Sequence, residues 1–411
     1  MMQKGNEGTG VSVQPVRIVA NDMPARGLAI LCTYFGDNAR MSFDSMPPEL
    51  QTLHELALEV GLELQGTLPT QNLEPEVMER LKRWLAEGRA GEMKYLHKVE
   101  EVGASLQHWK AWARGAALFV LPYHREAGSF RGGGRVARYA VGRDYHNVLG
   151  KRLERLGKRL RAAGLAKSFR ATVDAAPVLE REWAIRGGLG WRGKNTLLLH
   201  PVHGPWVLLG ELVLDFEVPA WAPKPAREAT CGSCTRCLDA CPTDAFTSAY
   251  ELDPRKCISY LTIETKGEIP LEWRQRIGEW VFGCDVCQEV CPFGAAEPNR
   301  ATDWPQLDAF SQLSLEELLH LSEQDFHKLF TGSPIRRPGW AAILRNVCVV
   351  LGNLKRGVPE LEQALLHPEP LVRGHAAWAL GEIGERKVLH KVLTNESDPF
   401  VVKELELALS H

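Results

Sequence analysis

Eight cysteines between residues 231 and 291 are the densest source of chemistry in this 411-residue chain. The first four read Cys231-Gly-Ser-Cys234-Thr-Arg-Cys237-Leu-Asp-Ala-Cys241-Pro242, a C-x2-C-x2-C-x3-C-P spacing that suits a pair of 4Fe-4S clusters. Three closely spaced thiolates wrap one cubane while the fourth points to the other. Pro242 helps turn the chain there, because it fixes φ and offers no N–H. A second, interrupted copy follows as Cys257 and then Cys284-Asp-Val-Cys287-Gln-Glu-Val-Cys291-Pro292. The crossover rule predicts that Cys231, Cys234, Cys237 and Cys291 hold one cluster. Cys241, Cys257, Cys284 and Cys287 then hold the other. Zinc is the competing occupant, since it also takes C-x2-C pairs, but four ligands in two pairs need neither the third cysteine nor the x3-C-P ending. Cys32 and Cys348 stand alone and read as ordinary thiols.

Composition places these cysteines in a globular protein. Apolar residues make up 45% and charged residues 24% of the chain, which at this length predicts two or three domains with a real core. A net charge of −2 excludes polyanion binding by bulk charge, so the distribution has to be read instead. Residues 125–170 carry thirteen Lys/Arg against three Asp/Glu, and residues 331–356 carry five against none. Such blocks suit nucleic-acid phosphates and suit a solvated helix face equally well. No run approaches the roughly 20 apolar residues that span a bilayer, and the first residues lack the basic-then-apolar pattern of a secretory signal. The cysteines are therefore expected to bind metal in a reducing, cytoplasmic compartment, with no membrane partner.

The elements that position this chemistry follow from periodicity. Residues 1–47 are rich in Gly, Asn and Asp and are expected to form a flexible extension, with Met46 an alternative start. Helices are predicted over 48–60, 74–87, 148–163 and 179–186. In the third of these, Leu149, Leu153, Leu156 and Leu160 share one face, opposite Lys and Arg. Strands are predicted over 116–121 and 171–173, with a strand pair near 196–200 and 206–215. The apolar run of that last strand is broken only by Gly210 and Glu211. The mixture predicts an α+β or α/β domain over 48–220. The proline-rich stretch 219–225 then opens a ferredoxin-like two-cluster domain over 221–297. The remainder, 298–411, is helical and repetitive. Leu351-Gly352 recurs as Leu380-Gly381, and Pro370-Leu371-Val372 as Pro399-Phe400-Val401, both 29 residues apart. That period predicts a HEAT-like stack too short to bury its own core, docked on the preceding domains.

Clusters alone only carry electrons, and the segment expected to use them is identified by resemblance. The run Asp174-Ala-Ala-Pro-Val-Leu-Glu180-Arg-Glu182-Trp-Ala, continued by Gly188-Leu-Gly190-Trp-Arg-Gly193-Lys194-Asn195-Thr196, resembles the signature of epoxyqueuosine reductases. So do Arg138-Tyr-Ala-Val-Gly-Arg-Asp144-Tyr145-His146 and Cys257-Ile-Ser-Tyr-Leu-Thr-Ile-Glu264. The resemblance runs from about residue 48 to 411. It implies reduction of an epoxide on a modified guanosine, at the wobble position of a tRNA anticodon, with cobalamin and two 4Fe-4S clusters as cofactors. It also implies Asp174 as the catalytic proton donor. Without the resemblance, an aspartate between a strand and a helix reads more simply as a cap.

Cobalamin contacts are implied at Ala137, Asp174, Lys194, Asn195, Leu198, Leu209, Ser259, Thr262, Glu264 and Asp285. Tyr145 and His146 are implied near the substrate, where a packed Tyr–His pair is an equal reading. For tRNA phosphates the candidates are Arg336, Arg337, Arg345, Lys355 and Arg356, with the basic helix from Lys151 to Arg161. One departure lies after Met93-Lys-Tyr-Leu96, where the family carries an arginine and this chain has Val102-Gly103-Ala104, leaving Lys98 as the substitute. The related reductive dehalogenases suggest a small-molecule substrate as the alternative, which the basic blocks and the helical repeat disfavour. The sequence names no electron donor, and a monomer is the default expectation.

Overall fold

The computed structural model describes residues 41–42, 46–225, 229–294, 304, 306–307 and 309–410. The expected N-terminal extension lies almost wholly outside the described residues, as does Cys32. In the first domain α1 (Pro48–Leu58), β1 (Gly66–Pro69), β2 (Gly115–Pro122), α2 (Tyr145–Ala162), β3 (Phe169–Thr172), α3 (Glu180–Arg186) and β4 (Val207–Leu214) follow in order. The four strands form one sheet in the order β1-β2-β4-β3. Every pairing in it is antiparallel, so the domain is of the α+β kind.

Alternation along the strands explains why both faces are covered. Ala117, Phe119 and Leu121 of β2 join Leu212 and Leu214 of β4 in one core with the α2 leucines. Their neighbours Ala116, Leu118 and Val213 point the other way, into a second core with Trp183 and Ala184 of α3. The predicted stripe Leu149, Leu153, Leu156 and Leu160 is fully buried, each leucine contributing about 2 kcal/mol by the area it removes from water. Gly210 makes room for this helix: a Cβ there would lie 2.7 Å from Leu149 Cδ2. At the start of α2 the Asp144 side chain accepts from the His146 N–H and caps it. The expected strand pair near 196–200 differs from the prediction. Leu198–Leu199 pairs with Trp191–Arg192, while β4 takes the centre of the main sheet.

The cysteine module is bound to this domain by a parallel pairing of Trp280–Phe282 with Arg135–Val136. Its short helices Arg236–Asp239 and Val286–Glu289 each carry a cysteine of a C-x2-C pair. Beyond it, α4 (Trp340–Leu354), α5 (Val358–Ala364), α6 (Pro370–Ile383), α7 (Arg386–Leu393) and α8 (Pro399–Ser410) stack, α6 lying between α4 and α8. Pro370 and Pro399 sit at the first turns of α6 and α8, where a missing N–H costs nothing. The recurring glycines have a steric cause. A Cβ on Gly352 would lie 2.9 Å from Ala379 Cα, and one on Gly381 3.0 Å from Ala408 Cα. Each repeat therefore presses a bare backbone onto the alanine of the next. The repeat shares one continuous core with the cysteine module, in which Ile258, Leu261 and Phe282 join Val347, Leu351 and Leu380.

Candidate active site

The cysteine thiols crowd one another in two neighbourhoods that touch at Cys237 and Cys287. The Cys237 thiol is pushed up to about 11 by burial and by Cys231 and Cys234. Burial and the proximity of Cys231 and Cys237 push Cys291 up to about 12. In the second set, burial and Cys241 raise Cys257, and burial with Cys257 and Cys241 raises Cys284. Burial with Cys257, Cys284 and Asp285 raises Cys287, and Cys237 of the first set adds to it. Thiols this crowded become thiolates only around positive charge, which iron supplies. Cys348 is fully buried within α4.

Asp174 stands at the end of β3 with φ of +50°, a left-handed conformation that aspartate tolerates better than most residues. Two contacts hold it. Its N–H donates to Glu180 Oε1 at 2.7 Å, and Tyr145 Oη donates to its Oδ2 at 2.7 Å. Burial and the neighbouring Asp174 push the Tyr145 phenol far up, so Tyr145 remains a donor at any physiological pH. His146 stacks on Tyr145 with ring centroids 4.1 Å apart, and its Nε2 lies 3.9 Å from Asp174 Oδ2. Its Nδ1 meets Asp144 Oδ1 at 2.8 Å. Although burial opposes it, these His146 contacts hold the Asp144 carboxyl below its usual range. The Asp174 side chain keeps 59% of its surface open, so a ligand can reach it.

Tyr145 and His146 line a cavity of about 480 Å³ together with Tyr139, Phe282, Arg336 and Arg337. The fold thus gathers the Tyr–His pair and two of the expected phosphate-binding arginines around one opening, and Tyr145 and His146 link it to the expected proton donor Asp174. Arg337 also pairs with Glu264 at 2.8 Å. Other expected contacts lie elsewhere. Lys194 Nζ donates to Gly232 O at 2.8 Å and Asn195 Nδ2 to Cys287 O at 3.4 Å, so both latch the first domain to the cysteine module. Leu209, Ser259 and Glu264 keep open surface, whereas Ala137, Asn195 and Leu198 retain at most 4%.

Three expectations of direct contact are corrected. Thr262 is fully buried, its hydroxyl donating to Ile258 O at 2.7 Å and accepting from the Gly283 N–H at 3.0 Å. Asp285 is fully buried too, accepting from the Arg138 N–H at 2.7 Å and from Gln288 Nε2 at 3.1 Å. Neither has free surface for a cofactor. Arg345 has no exposed surface for a phosphate. Its guanidinium donates to the carbonyls of Leu261, Thr265 and Gly267 at 3.1, 2.8 and 2.6 Å, pinning α4 to the cysteine module.

The remaining basic candidates are partly engaged. Lys355 pairs with Glu382 at 3.0 Å. Arg356 donates to Gly132 O at 2.6 Å and pairs with Glu316 at 3.2 Å. On α2, Arg159 pairs with Glu59 and Arg152 donates to Gly61 O, while Lys151, Arg155 and Lys158 face solvent. Lys98 pairs with Glu101 at 2.5 Å on the surface.

Sequence reasoning missed Glu180 and Glu211 as members of the site. Glu211 is 3% exposed in the middle of β4, and its carboxyl meets that of Glu180. The available signal was a carboxylate interrupting an otherwise apolar strand, a placement that burial makes costly unless a partner is present.

Comparison with known proteins follows the same lines. Residues 104–175 match the family model described as epoxyqueuosine reductase QueG, DUF1730. Residues 230–294 match a 4Fe-4S double cluster binding domain, and residues 341–410 match HEAT repeats. An epoxyqueuosine reductase of Pseudomonas aeruginosa is 39% identical over 355 residues, covering 82% of this chain and 94% of its own length. That of Escherichia coli K12 is 35% identical over 359 residues, covering 82% and 90%. Among solved structures, an epoxyqueuosine reductase crystallised with a tRNA-Tyr epoxyqueuosine-modified stem loop matches with a TM-score of 0.79. The two are 29% identical, over 88% of this chain and 97% of that one. The Streptococcus thermophilus epoxyqueuosine reductase matches with the same TM-score at 26% identity, over 89% and 99%. With long relatives in sequence and in structure, and the three segments in the same order, the chain belongs to the epoxyqueuosine reductase family.

Proposed function

We propose that this protein reduces epoxyqueuosine to queuosine at the wobble position of tRNA, the final step of queuosine biosynthesis, using cobalamin and two 4Fe-4S clusters. The observation that carries the reading is the open Asp174 carboxyl held by Tyr145, which lines a cavity of about 480 Å³ together with Arg336 and Arg337. That volume suits a nucleoside-sized ligand. Opening the epoxide to an alkene takes two electrons and two protons and releases the ring oxygen as water. Bound cobalamin would supply a low-valent cobalt for the carbon–oxygen bond, fed with single electrons by the clusters. The open edges offered by Lys194, Leu209, Ser259 and Glu264 fit the mixed amide rim and apolar face of a corrin.

The chain's own residues manage binding and protons. Asp174 gives its proton to the departing oxygen. Tyr145 orients the carboxyl through its 2.7 Å hydrogen bond, and His146, anchored by Asp144, backs it. Arg336 and Arg337 hold phosphates flanking the base, while Lys151, Arg155 and Lys158 extend the electrostatic track. An anticodon loop is single-stranded, so turning its base into the cavity costs less than it would in a duplex. No helix among the described residues is long and apolar enough to cross a membrane. The thiol-rich site requires a reducing compartment, which we take to be the cytoplasm, and the protein acts there as a monomer with a separate low-potential electron donor.

Nucleoside mass spectrometry of tRNA tests this in a host lacking its own epoxyqueuosine reductase. Expression of this protein should convert the accumulated epoxyqueuosine to queuosine. Persistence of epoxyqueuosine beside a soluble, metal-loaded protein would refute the reading and move small-molecule reduction to first place.

A further inference from the structure

Glu211 projects from the centre of β4, in register with Leu118 of β2 and Thr172 of β3. It is almost completely enclosed. Among the described residues no N–H or O–H reaches its Oε2, and the group its carboxyl meets is the carboxyl of Glu180. Two carboxyl groups attract only when one of them keeps its proton, because a carboxylate can only accept. Glu180 in turn accepts the N–H of Asp174 at 2.7 Å. The Glu180 and Glu211 carboxyls thus meet at the sheet, and Glu180 also holds the backbone of Asp174 at the open end of β3. Asp174 and Arg181 are the other charged groups that bear on Glu180, and Asp174 and Glu180 those that bear on Glu211.

The reaction proposed above needs two protons, and Asp174 can hold one at a time. We propose that the half-buried Glu180 and the buried Glu211 form an acid pair that stores a proton and passes it to the Asp174 carboxylate, so that Asp174 can protonate the departing oxygen twice. This inference rests on the epoxide-reduction reading. Two electrons from the low-potential donor break the two carbon–oxygen bonds and form the alkene. The first proton leaves Asp174 for the oxygen, the second moves from Glu180 to Asp174 and on to the oxygen, and water departs. Solvent protons then refill the pair.

Burial, reinforced by Asp174, pushes Glu180 up to about 8, and burial with Glu180 pushes Glu211 well above the usual carboxylate range. The store is therefore full below about pH 8 and empties as pH rises through it. Glu180→Gln separates storage from positioning, since its amide oxygen still accepts the Asp174 N–H but carries no acidic proton. Single-turnover reduction of an epoxyqueuosine stem loop by dithionite-reduced holoenzyme should slow about ten-fold or more with KM unchanged. The fall in rate near pH 8 should also disappear from the profile. Wild-type kcat and pH profile in Glu180→Gln overturn the proposal, as does a loss confined to Glu180→Ala, which marks a positioning role alone. Infrared difference spectroscopy of Glu211→Gln against wild type supplies a readout independent of turnover. Loss of a buried protonated-carboxyl band supports the pair, and its absence from the wild type overturns it. If wild-type enzyme does not reduce the stem loop, the functional reading fails, while the infrared result still reports on the pair.

Discussion

Replacing Arg345 with alanine separates a buried staple from a tRNA contact. In wild type the guanidinium satisfies the carbonyls of Leu261, Thr265 and Gly267 and also bonds Asn346 Oδ1. All of this lies in the seam between α4 and the cysteine module. Each buried acceptor left without a partner costs about 1–3 kcal/mol. Carbonyls keep a second lone pair and the new cavity admits water, so the three together should cost about 3–5 kcal/mol, as in other broken buried charge networks. A surface arginine that only touches phosphate would change stability by less than about 0.5 kcal/mol when removed. The two cases differ several-fold. Urea unfolding of anaerobically purified holoprotein measures the first quantity, and stem-loop binding across a salt series measures the second. The structure predicts a large fall in stability with an unchanged salt slope for the protein that remains folded. Unaltered stability with a salt slope reduced by about one would refute the burial argument and return Arg345 to the tRNA surface.

Asp174→Asn should lower turnover by about 10²–10⁴-fold while leaving melting behaviour and cluster content intact, because asparagine tolerates the φ of +50° at this position; near-wild-type turnover would remove the carboxyl from the chemistry. Gly352→Ala should destabilise the repeat by about 1–3 kcal/mol through overpacking, since the added methyl would sit 2.9 Å from Ala379 Cα, and circular-dichroism melts of the variant check it. Arg336→Ala should weaken stem-loop binding uniformly across loop sequences and flatten the salt dependence by about one, read by filter binding at several ionic strengths.

Much of the architecture was legible because local patterns and tertiary demands coincide. The leucine stripe of α2 is amphipathic at helical period and lies buried where the pattern puts it. The cysteine spacing carries its own geometry, and the Leu-Gly recurrence marks the contact that sets the stack. Sheet order was not legible. β2 and β4 are separated by more than eighty residues, and nothing local states that they pair antiparallel. Arg345 was misread for a related reason. Within a basic stretch a single arginine looks solvated, and only the packing of α4 against residues 261–267 puts it inside. Glu211 lay in plain view as a charge within an apolar strand, but its partner Glu180 sits on α3, reached only once the sheet has been built.

The central claim is that this chain removes the epoxide oxygen of a tRNA-borne nucleoside at the Asp174 site. Anaerobic incubation of the reconstituted protein with a defined epoxyqueuosine-containing anticodon stem loop and a low-potential reductant, followed by intact-mass measurement of the RNA, tests it most directly. The account predicts loss of one oxygen from the RNA with wild type and retention of that oxygen with Asp174→Asn. Retained oxygen with wild-type protein carrying cobalamin and both clusters would contradict it.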